Sequence, residues 1–281
     1  MSAKSNTLEQ NKTPLVQITD LHVHFGRQRV LRDIDLDVPP GQTLALIGES
    51  GCGKTVLLKT IIGLVRPTRG NVLFDGADLS HMSDRELTKQ RIRFGFLFQQ
   101  AALFDSMNVA QNVAFPLRQH TDKSAEEIHD IVVGRLAEVG LPETALGKKP
   151  AELSGGMRKR VGLARALALD PEIMLYDEPT TGLDPIMSDV INELILRTRQ
   201  RYPVTSIVVT HDMHTARKVA DRVVMLYPLA RLSHDEPQMI YDGSPRDLDA
   251  FQDRRVWQFV HGEAGERLME MRELTTAREE S

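Results

Sequence analysis

The chain has 281 residues, 41% of them hydrophobic and 26% charged, and its 39 acidic against 35 basic side chains leave a net charge of −4. That balance is ordinary for a globular protein and argues against a general nucleic-acid binder, which would carry a basic excess, while a single cysteine excludes an internal disulfide framework and fits a reducing compartment. No apolar run nears the ~18 residues of a membrane span, and the opening "MSAKSNTLEQNKTP" lacks the apolar core of a signal peptide, so the expectation is a soluble chain in the cytoplasm.

Residues 1–14 read as a polar tail. Residues 15–48, "LVQITDLHVHFGRQRVLRDIDLDVPPGQTLALIG", then alternate apolar and polar side chains in short β-rich runs broken by Gly26 and by Pro39-Pro40-Gly41. This predicts a small antiparallel sheet. The closing "TLALIG" is a continuous apolar run, the pattern of a strand buried on both faces, and "KTVLLKTIIGLV" follows as a helix. From Gln99 to about Ala168 the pattern is mainly helical, clearest in "SAEEIHDIVVGRLAEVG". "EIMLYDEP" and "TSIVVTHDM" return as buried strands around the helical "IMSDVINELILRTRQ". Strands alternating with helices imply an α/β class with a largely parallel sheet. The long connection "MLYPLARLSHDEPQMIYDG", residues 225–243, is expected to be a solvated loop. Residues 246–281 are charged and helical in pattern, with an apolar cluster at Val256, Trp257, Phe259 and Val260. A solvated tail would not need that cluster, so it is expected to pack on the chain itself or on a dimer partner.

Four stretches carry chemistry. "GESGCGKT", residues 48–55, matches the phosphate-loop pattern in full, with a strand before it and a helix after it. Its candidate ATP-binding residues are Gly48, Glu49, Ser50, Gly51, Cys52, Gly53, Lys54 and Thr55. The glycines let backbone N–H groups turn inward around phosphates, Lys54 reaches the β/γ-phosphates and Thr55 offers its hydroxyl to Mg²⁺. In "IMLYDEPTTGLD", Asp177 and Glu178 end an apolar strand, so one carboxylate can hold Mg²⁺ through water while its neighbour polarises an attacking water. His211 ends a further strand, where an imidazole could touch the γ-phosphate, and Gln99, after "FGFLF", could bring an amide to Mg²⁺ and the attacking water. The fourth stretch is "ELSGGMRKRVGLARAL", in which Ser154, Gly155 and Gly156 open a helix whose first turn carries Arg158, Lys159 and Arg160. Free N–H groups and the positive end of the helix dipole make this a second anion site.

In this order the phosphate loop, Gln99, "LSGGM", "YDEP", "GLD" and His211 resemble the nucleotide-binding subunit of ABC transporters over roughly residues 15–245. The resemblance implies a P-loop NTPase ABC cassette with a RecA-like parallel-sheet core. An N-terminal antiparallel β subdomain and a helical signature subdomain at about residues 99–168 would complete it. It implies ATP and Mg²⁺ as cofactors, Glu178 as general base supported by His211 and Gln99, and Thr55, Gln99 and Asp177 around the metal. In that family two subunits close head to tail. Ser154, Gly155 and Gly156 would then hold the γ-phosphate of the partner's ATP, Asp184 would lie in the loop between the two sites, and Phe25 would stack on adenine.

"FGFLFQQAALFDSMNVAQNVAFPLRQHT", Met157 where most such subunits have glutamine, and "VWQFVHG" near the C-terminus resemble the Mla/Mce-type lipid transport ATPases. That implies phospholipid or a related lipid as cargo. It also implies a homodimer of ATPase subunits, an integral membrane permease, an Mce-domain lipid-binding protein and a small accessory subunit as partners. The chain would sit at the cytoplasmic face of the bacterial inner membrane. The ATPase of a small-solute importer and a soluble non-transport ABC ATPase are the alternatives. Phe104 and Met107 are expected to face the permease, and Val113 and Leu117 to fill the chain's own core. Cys52, beside Lys54, is expected to carry an activated thiol if its sulfur is accessible.

Overall fold

The computed structural model describes residues 13–264. Strands β1 (Val16–Phe25) and β2 (Gln28–Val38) pair antiparallel across a turn at Gly26, burying Val16, Ile18, Leu21 and Val23 from β1. The chain then enters a second sheet with β3 (Thr43–Ile47), turns through the phosphate loop into α1 (Lys54–Ile61), and returns with β4 (Arg69–Phe74) and β5 (Ala77–Asp78). The first sheet has the order β2-β1-β4-β5 and is antiparallel throughout, as expected of its alternating pattern.

After α2 (Asp84–Arg91) and β6 (Phe94–Leu97) come three helices, α3 (Val109–His120), α4 (Ala125–Glu138) and α5 (Gly155–Ala166). Capping boxes start α3 at Asn108/Gln111 and α4 at Ser124/Glu127, satisfying end N–H groups that would otherwise lack partners. Val113, Leu117, Val132, Leu136 and Val161 form the core of this helical unit, where Val113 and Leu117 were expected. The chain continues through β7 (Ile173–Asp177), α6 (Pro185–Arg201), β8 (Thr205–Val209), α7 (Met213–Val219), β9 (Arg222–Leu226), β10 (Met239–Gly243) and α8 (Arg254–His261).

The second sheet runs β10-β9-β3-β8-β7-β6, parallel throughout except for β10. Every residue of β3, β7 and β8 is buried, which is why these strands read as unbroken apolar runs. Register sets the site. Leu46 and Asp177 both lie opposite Val209, so β3, β7 and β8 end level and their following residues emerge on one edge.

Two features differ from expectation. The 225–243 connection is a solvated loop only in part: Ser233, His234 and Asp235 are exposed as expected, but 225–226 belong to β9, 239–243 form β10, and at the base of the loop Tyr227 is buried and Gln238 is 0% exposed. In α8, Val256 is buried against Ala45, Met225 and Tyr241 with Phe259 and Val260 beside it, whereas Trp257 lies outside that cluster and stacks on His261 at 4.4 Å. Residues 265–281 of the expected C-terminal extension, and 1–12 of the tail, lie outside the described residues.

Candidate functional site

Gly48 leaves β3 under a close backbone constraint: a Cβ there would lie 2.2 Å from the Leu226 carbonyl oxygen. The loop thus turns tightly against β9 and delivers Lys54 and Thr55 to the start of α1. Lys54 is buried, and its Nζ donates to Gly48 O at 2.7 Å and to Glu49 O at 3.0 Å. Thr55 Oγ1 donates to Asp177 Oδ1 at 3.0 Å, joining the loop to the end of β7. Burial pushes the Asp177 carboxyl above its usual range, against the opposing pull of the Thr55 hydroxyl. Hydroxyl and carboxylate oxygens are the hard donors that Mg²⁺ takes, and a desolvated carboxylate gains most from an adjacent cation. The residues present therefore fit that ion.

Glu178 departs from strand geometry with φ of 50°, a left-handed conformation that costs a non-glycine residue about 1–2 kcal/mol. Its own backbone groups are held on both sides: its N–H donates to Val209 O at 2.9 Å, and its carbonyl accepts from Lys159 Nζ at 3.0 Å. The turn aims the carboxylate at His211, whose Nδ1 lies 2.7 Å from Glu178 Oε2, while Thr181 Oγ1 donates to the same oxygen at 3.0 Å. Lys159 was read as part of an anion site, and the structure corrects this. It is only 5% exposed, and burial pushes its pKa down to about 8 despite Glu178 and Asp177 nearby. Its spacing with Gly156 and Leu163, both buried on α5, is the sequence signal that places it on the inward face.

The other two basic residues of that turn each spend a guanidinium N–H on a carbonyl of their own chain, although Arg158 remains exposed. Arg158 donates to Leu153 O at 2.7 Å and Arg160 to Gly140 O at 2.9 Å. What remains at the start of α5 is backbone and hydroxyl: Ser154 Oγ accepts from Met157 N at 3.3 Å, leaving its own proton to donate elsewhere. A Cβ on Gly155 would make only an ordinary 3.5 Å contact with Leu183, and one on Gly156 would meet the mobile end of Met187. Packing within the chain does not demand these glycines, whereas close approach of a ligand would. Asp184 caps α6 by accepting from Ile186 N and Met187 N at 3.0 Å each. Gln99 is exposed and lines a cleft of about 880 Å³ together with Gly155, Arg158, Lys159 and Leu183. Phe25 stands 50% exposed at the end of β1. The structure thus gathers Lys54, Thr55, Asp177, Glu178 and His211. Among the described residues no hydrogen bond or ion pair joins Phe25, Gln99, Ser154 or Asp184 to them.

Cys52 lies in the loop but is 1% exposed, and burial raises its thiol pKa more than Lys54 lowers it, so the expected activation does not occur. Beyond Gln99, Phe104 is 40% exposed in a groove of about 280 Å³ shared with Phe96, Phe98, Phe115 and Arg165. Met107 is half-buried and does not line it. Asn112, which the sequence reading passed over, is wholly buried. It accepts from Phe104 N at 2.8 Å and donates to the carbonyls of Phe104, Met107 and Asn108, fixing the loop that presents Phe104.

A phosphate loop, a β7 carboxylate pair and a β8 histidine on one parallel-sheet edge define a P-loop nucleotide-binding cassette. Residues 31–181 match the family described as ABC transporter. Over 212 residues the chain is 48% identical to the probable ribonucleotide transport ATP-binding protein mkl of Mycobacterium leprae, covering 75% of this chain and 61% of that protein. Over 250 residues it is 41% identical to the intermembrane phospholipid transport system ATP-binding protein MlaF of Haemophilus influenzae, covering 89% and 91%. The dimeric post-hydrolysis state of the ATP-binding cassette MJ0796 bound to ADP and Pi superposes with a TM-score of 0.73 at 31% identity, over 82% of this chain and 99% of that one. The chain belongs to the ABC transporter family. It spans about three-fifths of the length of the mycobacterial relative it matches.

Proposed function

We propose that this chain is the ATP-hydrolysing subunit of an ABC transporter that moves phospholipid through an integral membrane permease, and that it works as a homodimer. The observation that carries hydrolysis is the Glu178–His211 pair at 2.7 Å, one residue beyond the Asp177 carboxylate that Thr55 engages. ATP would exchange the Lys54 bonds to Gly48 O and Glu49 O for bonds to its phosphates, along with the inward amides of residues 48–53. Mg²⁺, held by Thr55 and Asp177 with Gln99, would neutralise charge on the β- and γ-oxygens. Glu178 takes the proton of the attacking water, and His211 and Thr181 hold its carboxylate in place. Phe25 stacks on adenine. Ser154, Gly155 and Gly156 of one subunit face the γ-phosphate bound by the other, with Asp184 beside them; the exposed Ser154 hydroxyl, the absence of any packing in this chain that demands glycine at 155, and the dimeric relative support this arrangement.

For the cargo, the MlaF relative is matched over 91% of its own length and its name specifies phospholipid. The mkl relative, named for ribonucleotide transport, is more identical over a shorter stretch and supports a second reading. We infer further that the Phe104 groove receives a cytoplasmic helix of the permease, that the subunit sits peripherally on the cytoplasmic face of the inner membrane, and that an Mce-domain protein and a small accessory subunit complete the assembly. No helix among the described residues is long and apolar enough to cross a membrane. The test is purification of the chain with its membrane partners, followed by mass spectrometry of bound lipid and ATPase assays with candidate cargo. Phospholipid in the complex and phospholipid-stimulated hydrolysis are expected. A lipid-free complex stimulated by ribonucleotides would overturn the lipid assignment in favour of the second reading.

A further inference from the structure

The connection between β9 and β10 does more than link two strands. Tyr227 N donates to Gln238 O at 2.9 Å, so the twelve residues from 227 to 238 form a closed loop with adjacent ends. At its base the wholly buried Gln238 spends its side-chain amide on other parts of the chain. Oε1 accepts from Arg32 N at 2.9 Å, and Nε2 donates to Val30 O at 3.0 Å and to Cys52 O at 3.0 Å. The partners fix the amide's orientation, because one is an N–H and two are carbonyls.

These three bonds tie together elements that come from distant parts of the chain. Val30 and Arg32 present backbone groups on the outer edge of β2, which has β1 on its other side and therefore lacks a second strand. Gln238 supplies the missing pairing and ties that edge to the phosphate loop. Contact there is already close, since a Cβ on Gly53 would lie 2.7 Å from Leu31 and 3.1 Å from Val30 O. Further bonds surround the pin: Arg32 Nη2 donates to Ser233 O at 3.0 Å and Glu236 O at 2.5 Å, and Arg231 Nη1 pairs with Glu49 Oε1 at 2.7 Å. From the other side α8 joins in, with Arg255 Nη1 on Glu236 Oε1 at 3.0 Å.

We propose that Gln238 is a positioning residue that sets the spacing between the adenine platform and the phosphate loop, with the 227–238 loop as its mount. This rests on the nucleotide-site reading above. Phe25, the last residue of β1, pairs with Gln28 at the start of β2, and Gln238 grips β2 a few residues further on. One nucleotide can engage Phe25 and Lys54 together only if the two lie at a fixed separation. Preorganising that separation favours ligands that span it and is indifferent to ligands that use the loop alone.

The experiment compares MgATP with magnesium tripolyphosphate, which has phosphates but no base, by equilibrium binding to the full chain. The wild type is measured first; failure to bind either ligand would sink the nucleotide reading, and this inference with it. In Gln238→Met, which keeps side-chain length but removes all three bonds, ATP affinity should fall about tenfold while tripolyphosphate binding changes by less than about twofold. The KM for ATP should rise with kcat little changed. Equal loss for both ligands, or no loss for either, would overturn the proposal. If Gln238→Met fails to fold, Arg32→Lys decides: it loosens the mount at Ser233 and Glu236 without touching the buried amide, and should show the same ligand selectivity at about threefold. No selectivity in that variant would be equally decisive against the proposal.

Discussion

At the sheet edge each candidate side chain already has a partner within the chain: Lys54 on Gly48 and Glu49, Thr55 on Asp177, Glu178 on His211 and Thr181. At the starts of α5 and α6, Ser154 and Asp184 do no more than cap their own helices, Ser154 toward Met157 and Asp184 toward Ile186 and Met187, and Gly155 and Gly156 press on nothing that requires glycine. The first region is organised to place a ligand and react with it. The second makes only helix-capping bonds within its own chain. This difference is what the proposed composite site, the first region of one subunit meeting the second region of another, would account for.

The sharpest way to break this reading is to silence the region held to do the chemistry. Glu178→Gln keeps the side chain's size and its contacts with Thr181 and His211 but removes the base, so hydrolysis should fall by about 10³-fold while ATP still binds and holds the dimer closed. Wild-type turnover in that variant would remove Glu178 from its role. The division of labour is tested next by mixing two inactive subunits, Lys54→Ala and Ser154→Ala. In a mixed pair one composite site carries both lesions and the other neither, so random pairing should restore up to roughly a quarter of wild-type sites. A mixture as inactive as its parents would mean that each region serves its own chain.

Lys159 links the two regions, because it rises from the signature helix and holds the Glu178 carbonyl of its own site. Its buried ammonium is destabilised, with a pKa near 8 against an ordinary 10.5. Below pH 8 both folded and unfolded chains carry the proton and the full cost of burying it is present. Between pH 8 and 10.5 the unfolded chain holds more protons than the folded one, so this group makes stability rise with pH, by up to about 3 kcal/mol over the window. Other groups titrate there too, so the measurement is the difference between wild type and Lys159→Met in denaturant titrations at successive pH values. The variant should gain relative stability below pH 8 and lose that advantage by pH 10.5, and its hydrolysis should fall as the Glu178 backbone loosens. Parallel stability curves would show that the lysine does not titrate in this range.

The same contrast explains what the sequence made legible. A phosphate loop, a carboxylate pair at a strand end and a signature helix are local patterns, each written in consecutive residues, and β3, β7 and β8 betray their double burial by apolar continuity. Lys159, Asn112 and Gln238 act across the fold instead. Gln238 meets Cys52 across 186 positions, and no periodicity announces such a contact. The basic turn after Ser154 misled for a related reason: composition counts charges, whereas Arg158, Lys159 and Arg160 each spend theirs on a neighbouring carbonyl. Phe104 was legible as an exposed aromatic after Gln99. Met107, equally apolar, was not separable from it without the loop geometry that Asn112 imposes.

The smallest expected effect concerns Cys52, where the loop's composition and its packing disagree. Neighbouring amides and Lys54 favour a thiolate, and the Lys54 ammonium does lie 3.9 Å from the sulfur. Yet Sγ sits so close under Gly48 that a Cβ there would come within 2.9 Å of it, and the residue is 1% exposed. Desolvation therefore dominates, the thiol stays protonated, and a bulky electrophile has no path to it. N-ethylmaleimide should label the native chain slowly, at a rate MgATP barely alters, and label it rapidly once denaturant unfolds it. Cys52→Ala should leave hydrolysis within about twofold of wild type and cost about 1 kcal/mol of stability through the small cavity left behind. Rapid native labelling that MgATP suppresses would mean that the loop opens often enough to expose the sulfur, and that its packing beneath Gly48 is weaker than its burial implies.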